Sequence, residues 1–212
     1  VCAAAYLLDL NKKTLRKIMI QIDPTVKGLI FDCDGTLAYT MEVHWKAWID
    51  AFDHFGCSCS IDYLDNLCGT AGQDIVRAYN KSFSKDLDPK SVADYKQGLV
   101  VEKLKATREV VSVCNVVRKY QGVLPMSVAS GGTRRNVHII LEAIGLLEAF
   151  EAILTADEPI PAKPSPDIFL ESARLMGCAP ETCLVFEDGT QGFAAAKAAG
   201  IPCIDVRPYY AG

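Results

Sequence analysis

Gly28-Leu29-Ile30-Phe31-Asp32-Cys33-Asp34-Gly35-Thr36 is an apolar run that stops abruptly at two carboxylates, a glycine and a threonine. Leu29 to Phe31 have the uninterrupted bulk of a strand covered on both faces, and Gly35 lets the backbone turn at once. Side chains two apart in an extended chain project the same way, so Asp32 and Asp34 are expected to face one space above the strand end. Two like charges this close do not ionise equally. One stays a carboxylate and the other's pKa rises, which separates a nucleophile from a general acid/base. A bare Asp-x-Asp is also compatible with a polar turn; the added Gly and Thr make the string more specific. A calcium loop needs glycine at its sixth position and glutamate at its twelfth. Counted from Asp32 those are Leu37 and Val43, which excludes it.

Beyond this string, Thr40, His44 and Trp48 recur at a spacing of four, and Trp45, Trp48, Ile49 and Phe52 give an apolar face, an amphipathic helix stopped at Gly56. Helical patterns follow over Ile61 to Leu67, Gln73 to Phe83 and Pro89 to Lys105, with no convincing buried strand among them. A purely helical stretch placed between one strand and the next helix reads as a lid. Regular alternation then begins. Helices are expected over Arg108 to Tyr120, Arg134 to Ile144, Asp167 to Met176 and Gln191 to Ala199. Strands are expected over Met126 to Ala129, Ala152 to Thr155, Cys183 to Phe186 and Cys203 to Val206. Such repetition implies an α/β fold with a doubly wound parallel sheet and helices on both faces. The domains expected are an N-terminal extension (1–26), a catalytic core (27–38 and 107–212) and a helical cap (39–106).

Ligands bind beyond the carboxyl ends of strands in open parallel sheets. The unusual polar groups lie there: Asp32 and Asp34, Ser130, Lys163, then Glu187 and Asp188. A carboxylate is ionised at neutral pH without help, so Asp32 needs no base to attack. Its difficulty is approaching an anionic phosphate. Mg²⁺ held by Asp32, the backbone carbonyl of Asp34 and Asp188 would offset that repulsion, and an all-oxygen set suits it. Lys163 can neutralise both Asp32 and the transferring group, while Ser130 and nearby backbone N–H groups donate to phosphate oxygens. Asp34, holding a proton, would give it to the leaving alcohol and then take one from water.

Asp32-Cys33-Asp34-Gly35-Thr36, Ser130, Lys163-Pro164-Ser165-Pro166-Asp167 and Phe186-Glu187-Asp188 resemble, in order, the motifs of the haloacid dehalogenase superfamily. The resemblance implies a Rossmann-like core, a helical cap inserted after the first motif, Mg²⁺ dependence and an aspartyl-phosphate intermediate. Asp34 argues against the dehalogenase branch, which lacks that acid. Within the superfamily the chain is similar to the β-phosphoglucomutase-like subgroup, whose hinge pattern Thr40, His44 and Trp48 match; Lys96 falls near a cap lysine that contacts substrate there. Gly72 and Thr133 stand where the mutase pattern carries cations. The His44-Trp45-Lys46-Ala47-Trp48 string and the short C-terminal end resemble small bacterial fructose-1-phosphate and 6-phosphogluconate phosphatases. The resemblance thus implies catalytic roles for Asp32, Asp34 and Lys163, substrate contacts from Ser130, Gly131, Thr36, His44 and Lys96, and metal contacts from Asp32, Asp34, Asp188 and Glu187. The expected activity is phosphomonoester hydrolysis of a sugar phosphate, with a hexose-phosphate mutase as the alternative and a non-enzymatic sugar-phosphate-binding module as a further rival.

Composition narrows the partners. At 212 residues, half of them hydrophobic, the chain is long enough for a large core. A net charge of −4 argues against a nucleic-acid surface, and a small phosphorylated metabolite is the expected partner. No run approaches the ~18 apolar residues that span a membrane. The 9 cysteines are an odd count, many in apolar runs, and read as reduced thiols of a cytoplasmic protein. Cys57 and Cys59 are too close together for the usual zinc-ligand spacing. Ala3 to Leu8 precede Lys12, Lys13, Arg16 and Lys17, the reverse of a signal peptide's order. Residues 1–26 are therefore expected to be a peripheral helix or a disordered lead-in ending at Asp23-Pro24, and the chain a monomer or weak homodimer.

Overall fold

Five strands, β1 (Gly28–Phe31), β2 (Met126–Ala129), β3 (Ala152–Leu154), β4 (Cys183–Glu187) and β5 (Cys203–Asp205), form one sheet in the order β3-β2-β1-β4-β5. Every neighbouring pair is parallel. This is a computed structural model, which describes residues 20–67 and 70–210. β1 is central, with Leu29 beside Met126 on one flank and Leu184 on the other. The period of two along the strands sorts the core into two layers. Leu29, Phe31, Val128, Leu184 and Phe186 face the helices α5 (Val111–Tyr120) and α6 (Arg134–Ala143). Ile30, Ala129 and Val185 face α7 (Asp167–Leu175) and α8 (Thr190–Ala199). Burial on both faces is why β1 and β4 carry no polar residue before their last positions.

Between β1 and α5 lie α1 (Met41–His54), α2 (Ile61–Asp65), α3 (Gly72–Phe83) and α4 (Pro89–Leu104). They enclose a core of their own, built from Trp48, Ala51, Phe52, Leu64, Ile75, Val76, Tyr79 and Val92. Asp88 starts α4 by accepting the Ser91 N–H at 2.8 Å, with Pro89 supplying the preset φ of the first turn. The chain leaves and re-enters the α/β layer side by side. Tyr39 N–H donates to Arg108 O, and Val110 N–H to Leu37 O, both at 2.8 Å. This pairing explains why α5 begins at Val111 rather than at the Arg108 expected from sequence: Arg108 to Val110 are occupied as a linker. β4 runs on to Glu187, and β5 stops at Asp205.

Of the expected N-terminal extension, residues 1–19 lie outside the described residues. Ile20 is buried in the main core, and Asp23 closes a turn by accepting the Thr25 N–H at 2.8 Å. Among the described residues no helix is long and apolar enough to cross a membrane.

Candidate active site

The polar residues at the strand ends converge above β1 and β4. Lys163 Nζ lies 2.7 Å from Asp32 Oδ1 and 2.8 Å from Glu187 Oε2, with the lysine only 7% exposed. Glu187 is held in turn, its Oε1 accepting the Gly189 N–H at 2.9 Å and that of Asp188 at 3.2 Å. A Cβ at position 192 would overlap the Glu187 side chain, so only glycine lets α8 pass this close. Gly35 has the same function on the other side: its φ is +80°, and a Cβ there would overlap the Asp188 carboxylate. Asp188 Oδ1 accepts from Thr36 Oγ1 at 3.3 Å.

Two carboxylates, Asp32 and Glu187, therefore hold one ammonium, with the carboxylate of Asp188 close by. Burial opposes the charge on Lys163, but Asp32 and Glu187 hold its pKa well above the ordinary lysine value. Burial, and then Glu187, pushes Asp32 well up, and the same two causes bring Asp188 to about 7. The excess negative charge falls on a set of oxygens from Asp32, Glu187 and Asp188 within 4.8 Å of one another. Hard oxygen donors with uncompensated charge fit a divalent cation such as Mg²⁺.

Asp34 belongs to a different network. Thr40 occupies the N-cap position of α1 but gives its hydroxyl to Asp34 Oδ1 at 2.6 Å instead of capping the helix. His44 Nε2 lies 3.0 Å from the same oxygen, and His44 Nδ1 lies 2.7 Å from Lys96 Nζ. An ammonium only donates, so Nδ1 accepts and the ring proton sits on Nε2, directed at Asp34. Burial works against ionisation of Asp34, yet His44, Thr40 and Lys96 together hold its pKa at about 2. This corrects the expectation that Asp34 keeps a proton beside Asp32. Like-charge repulsion is outweighed by donors that the helical insertion brings in. Burial in turn lowers Lys96 to about 8, with Asp34 opposing.

Ser130 follows β2 directly, its Oγ accepting the Gly132 N–H at 2.9 Å, and a Cβ on Gly132 would lie 3.1 Å from Asp34 Oδ2. Gly131, beside it, is half-buried. Ser130 thus stands next to Asp34. His44 and Lys96, expected to meet substrate, meet each other in this arrangement, and of the two His44 alone reaches Asp34. A contact with no signal in the sequence joins α4 to α6: Gln97 and Asn136 exchange side-chain amide hydrogen bonds, Asn136 Nδ2 donating to Gln97 Oε1 at 3.1 Å and Gln97 Nε2 donating back to Asn136 Oδ1.

The model of one family, the haloacid dehalogenase-like hydrolases, matches residues 29–206. The chain belongs to this family. Among haloacid dehalogenase-like relatives, the fructose-1-phosphate phosphatase YqaB of Escherichia coli is 37% identical over 180 residues, covering 85% of this chain and 96% of the relative. The structure of CbbY from Rhodobacter sphaeroides in complex with phosphate superposes with a TM-score of 0.75 at 25% identity, over 84% of each chain. A β-phosphoglucomutase from Clostridium difficile shares the fold, with a TM-score of 0.73 at 22% identity over 84% of this chain and 82% of that one. As a haloacid dehalogenase-like hydrolase, the chain is an enzyme whose relatives include phosphoric monoester hydrolases.

Two residues of this hydrolase escaped the sequence reading. Gly192 lies inside a helical pattern that gives no hint of Glu187 beneath it. Tyr210, near the end of the described chain, brings its hydroxyl to the Asp188 loop.

Proposed function

We propose that the chain is a Mg²⁺-dependent phosphomonoesterase that cleaves a small sugar phosphate through an aspartyl phosphate on Asp32. The observation that carries this reading is Lys163, buried and bridging Asp32 and Glu187 beside Asp188. That arrangement offers a carboxylate nucleophile, a fixed ammonium for the transferring phosphoryl group and an all-oxygen cation site.

Asp32, Asp188 and the carbonyl of Asp34 would hold Mg²⁺, with Glu187 anchoring Lys163. When bound, the cation supplies charge neutralisation between Asp32 and the incoming phosphate. Asp32 attacks phosphorus, the bond from phosphorus to the sugar oxygen breaks, and that oxygen takes a proton. Water then attacks the aspartyl phosphate, which releases inorganic phosphate and regenerates the Asp32 carboxylate. Lys163 and the Ser130 hydroxyl stabilise the phosphoryl oxygens throughout. Held at about 2, Asp34 is in the form that accepts a proton from the attacking water. To serve as the acid of the first step it must gain a proton, which loosening of its contact with His44, and with it the charge of Lys96, favours.

The sugar-phosphate class follows from the likeness to the fructose-1-phosphate phosphatase, together with a cap side whose buried cation, Lys96, is already engaged by His44. A mutase must grip a second phosphate. At the positions where a cation would serve that need, Gly72 packs against Trp48 and Ala93, and Thr133 caps α6. Phosphate release from a panel of sugar phosphates including fructose 1-phosphate, with and without Mg²⁺, tests the reading in wild type and Asp32→Asn. Release that needs both Mg²⁺ and Asp32 is expected. Conversion of β-glucose 1-phosphate to the 6-phosphate without net release overturns it.

A further inference from the structure

We propose that Tyr210 is a positioning residue for the Asp188 carboxylate, reaching it from the segment that follows β5. The inference rests on the reading of Asp188 as a cation ligand. Tyr210 Oη lies 2.5 Å from Gly35 O and 3.4 Å from Asp188 Oδ2, while the other carboxylate oxygen faces Thr36 Oγ1 at 3.3 Å. Each oxygen of Asp188 thus has one hydroxyl against it, and the glycine backbone closes the third side. A carboxylate held from both oxygens is oriented before any ligand arrives, which is how partners behind a metal ligand raise affinity.

The phenol is placed by more than its own hydrogen bonds. Its ring packs edge-on against Tyr39, with centroids 5.3 Å apart and planes at 71°. Tyr39 is fixed between the two linkers to the helical insertion: its N–H donates to Arg108 O at 2.8 Å, and its carbonyl accepts from Thr107 Oγ1 at 3.2 Å. The segment leading to Tyr210 is clamped as well. Arg207 Nε and Nη2 bind the Asp205 carboxylate at 2.8 and 2.6 Å, with the guanidinium over the Phe193 ring at 5.2 Å. The phenol's single proton is shared between Gly35 O at 2.5 Å and Asp188 Oδ2 at 3.4 Å, a forked bond that ties the Gly35 turn and the Asp188 side chain together.

Tyr210→Phe keeps the ring on Tyr39 and removes a single oxygen. Mg²⁺ titrated calorimetrically into wild type and variant is expected to bind the variant roughly 10-fold more weakly. The melting temperature without Mg²⁺ should fall by no more than the few degrees that one lost hydrogen bond costs, and the Mg²⁺ concentration that half-activates phosphate release should rise by the same factor. A cycle with Asp188→Asn locates the effect, because removing the hydroxyl should cost nothing further once the carboxylate is gone. Equal Mg²⁺ affinity in wild type and Tyr210→Phe, or a loss that persists undiminished in the Asp188→Asn background, overturns the assignment. Wild type that binds Mg²⁺ no better than Asp188→Asn removes the cation reading of Asp188 as well, and with it this inference.

Discussion

Lys96 Nζ is 2.7 Å from His44 Nδ1, a contact between α4 and α1 that reaches the site only through the far side of the imidazole ring. The pair fixes the tautomer of His44 and adds a positive charge behind it, so both residues act on the ionisation of Asp34. Because they lie on the insertion and Asp34 lies on the sheet, movement between these layers changes the proton affinity of Asp34. Structure and acid/base chemistry are thereby linked through two side chains.

Lys96 leaves a signature in stability. Burial lowers its pKa to about 8, against 10.5 for a free lysine. Between those values the unfolded chain binds more protons than the folded one, so this group makes stability rise with pH across that window. Below about 8 the buried charge carries its full cost, on the order of 3 kcal/mol. Buried thiols such as Cys114 and Cys203, pushed up to about 12, work the other way above pH 9, but they cancel in a difference. The urea-unfolding stability of wild type minus that of Lys96→Met is expected to move in favour of wild type from pH 8 to 10. A difference that stays flat across this range would mean that the lysine keeps its proton in the fold and that burial does not lower its pKa.

Asp34→Asn removes the group that accepts the water proton and leaves the backbone carbonyl in place. Turnover is expected to fall by about 10²- to 10⁴-fold. Mg²⁺ affinity measured by calorimetry should be close to that of wild type, since the side chain points to Thr40 and His44. A matching collapse of Mg²⁺ affinity would place the Asp34 carboxylate on the cation instead.

Gly192→Ala probes the fit of α8 against Glu187. The new Cβ overlaps the Glu187 side chain, which is anchored by Lys163 and by the Gly189 N–H, so it has little room to yield. Overpacking of this kind costs about 1–3 kcal/mol. Displacing Glu187 also shifts Lys163 from Asp32, and turnover is expected to fall more steeply than the melting temperature. A variant with wild-type kinetics would show that Glu187 can move without disturbing Lys163.

The sheet was legible because its strands are short apolar runs that end in polar groups, as Leu29 to Phe31 and Leu184 to Phe186 do, and because glycines such as Gly145 and Gly200 mark helix ends. The helical insertion was legible from periodicity over Gln73 to Phe83. The pairing of Arg108 with Tyr39 was not, since a local pattern carries no information on a partner far away in sequence. The same limit hid the environment of Asp34. Sequence places it next to Asp32 and suggests repulsion, while the donors that outweigh repulsion come from Thr40, His44 and, through His44, Lys96. Gly192 and Tyr210 had no signal at all, because their roles depend on what lies across a layer.

Lys163 is the residue whose loss the fold should feel most. Its ammonium is enclosed by Asp32, Glu187 and the face of Phe169, the ring centroid 5.0 Å away. Lys163→Met preserves much of the volume and removes the charge, leaving two buried carboxylates without a counter-ion. Breaking a buried pair by removing one partner costs about 3–5 kcal/mol. The carboxylate pKa of Asp32, already raised by burial and Glu187, rises further without the lysine, so the folded variant binds protons that the unfolded chain releases. Its stability therefore grows as pH falls, and the deficit relative to wild type should shrink as pH is lowered. Mg²⁺ should raise the melting temperature of the variant by supplying part of the missing charge, while turnover stays lost because the phosphoryl group has no ammonium to meet. A deficit independent of both pH and Mg²⁺ would mean that packing against Phe169, rather than charge, is what Lys163 contributes to the fold.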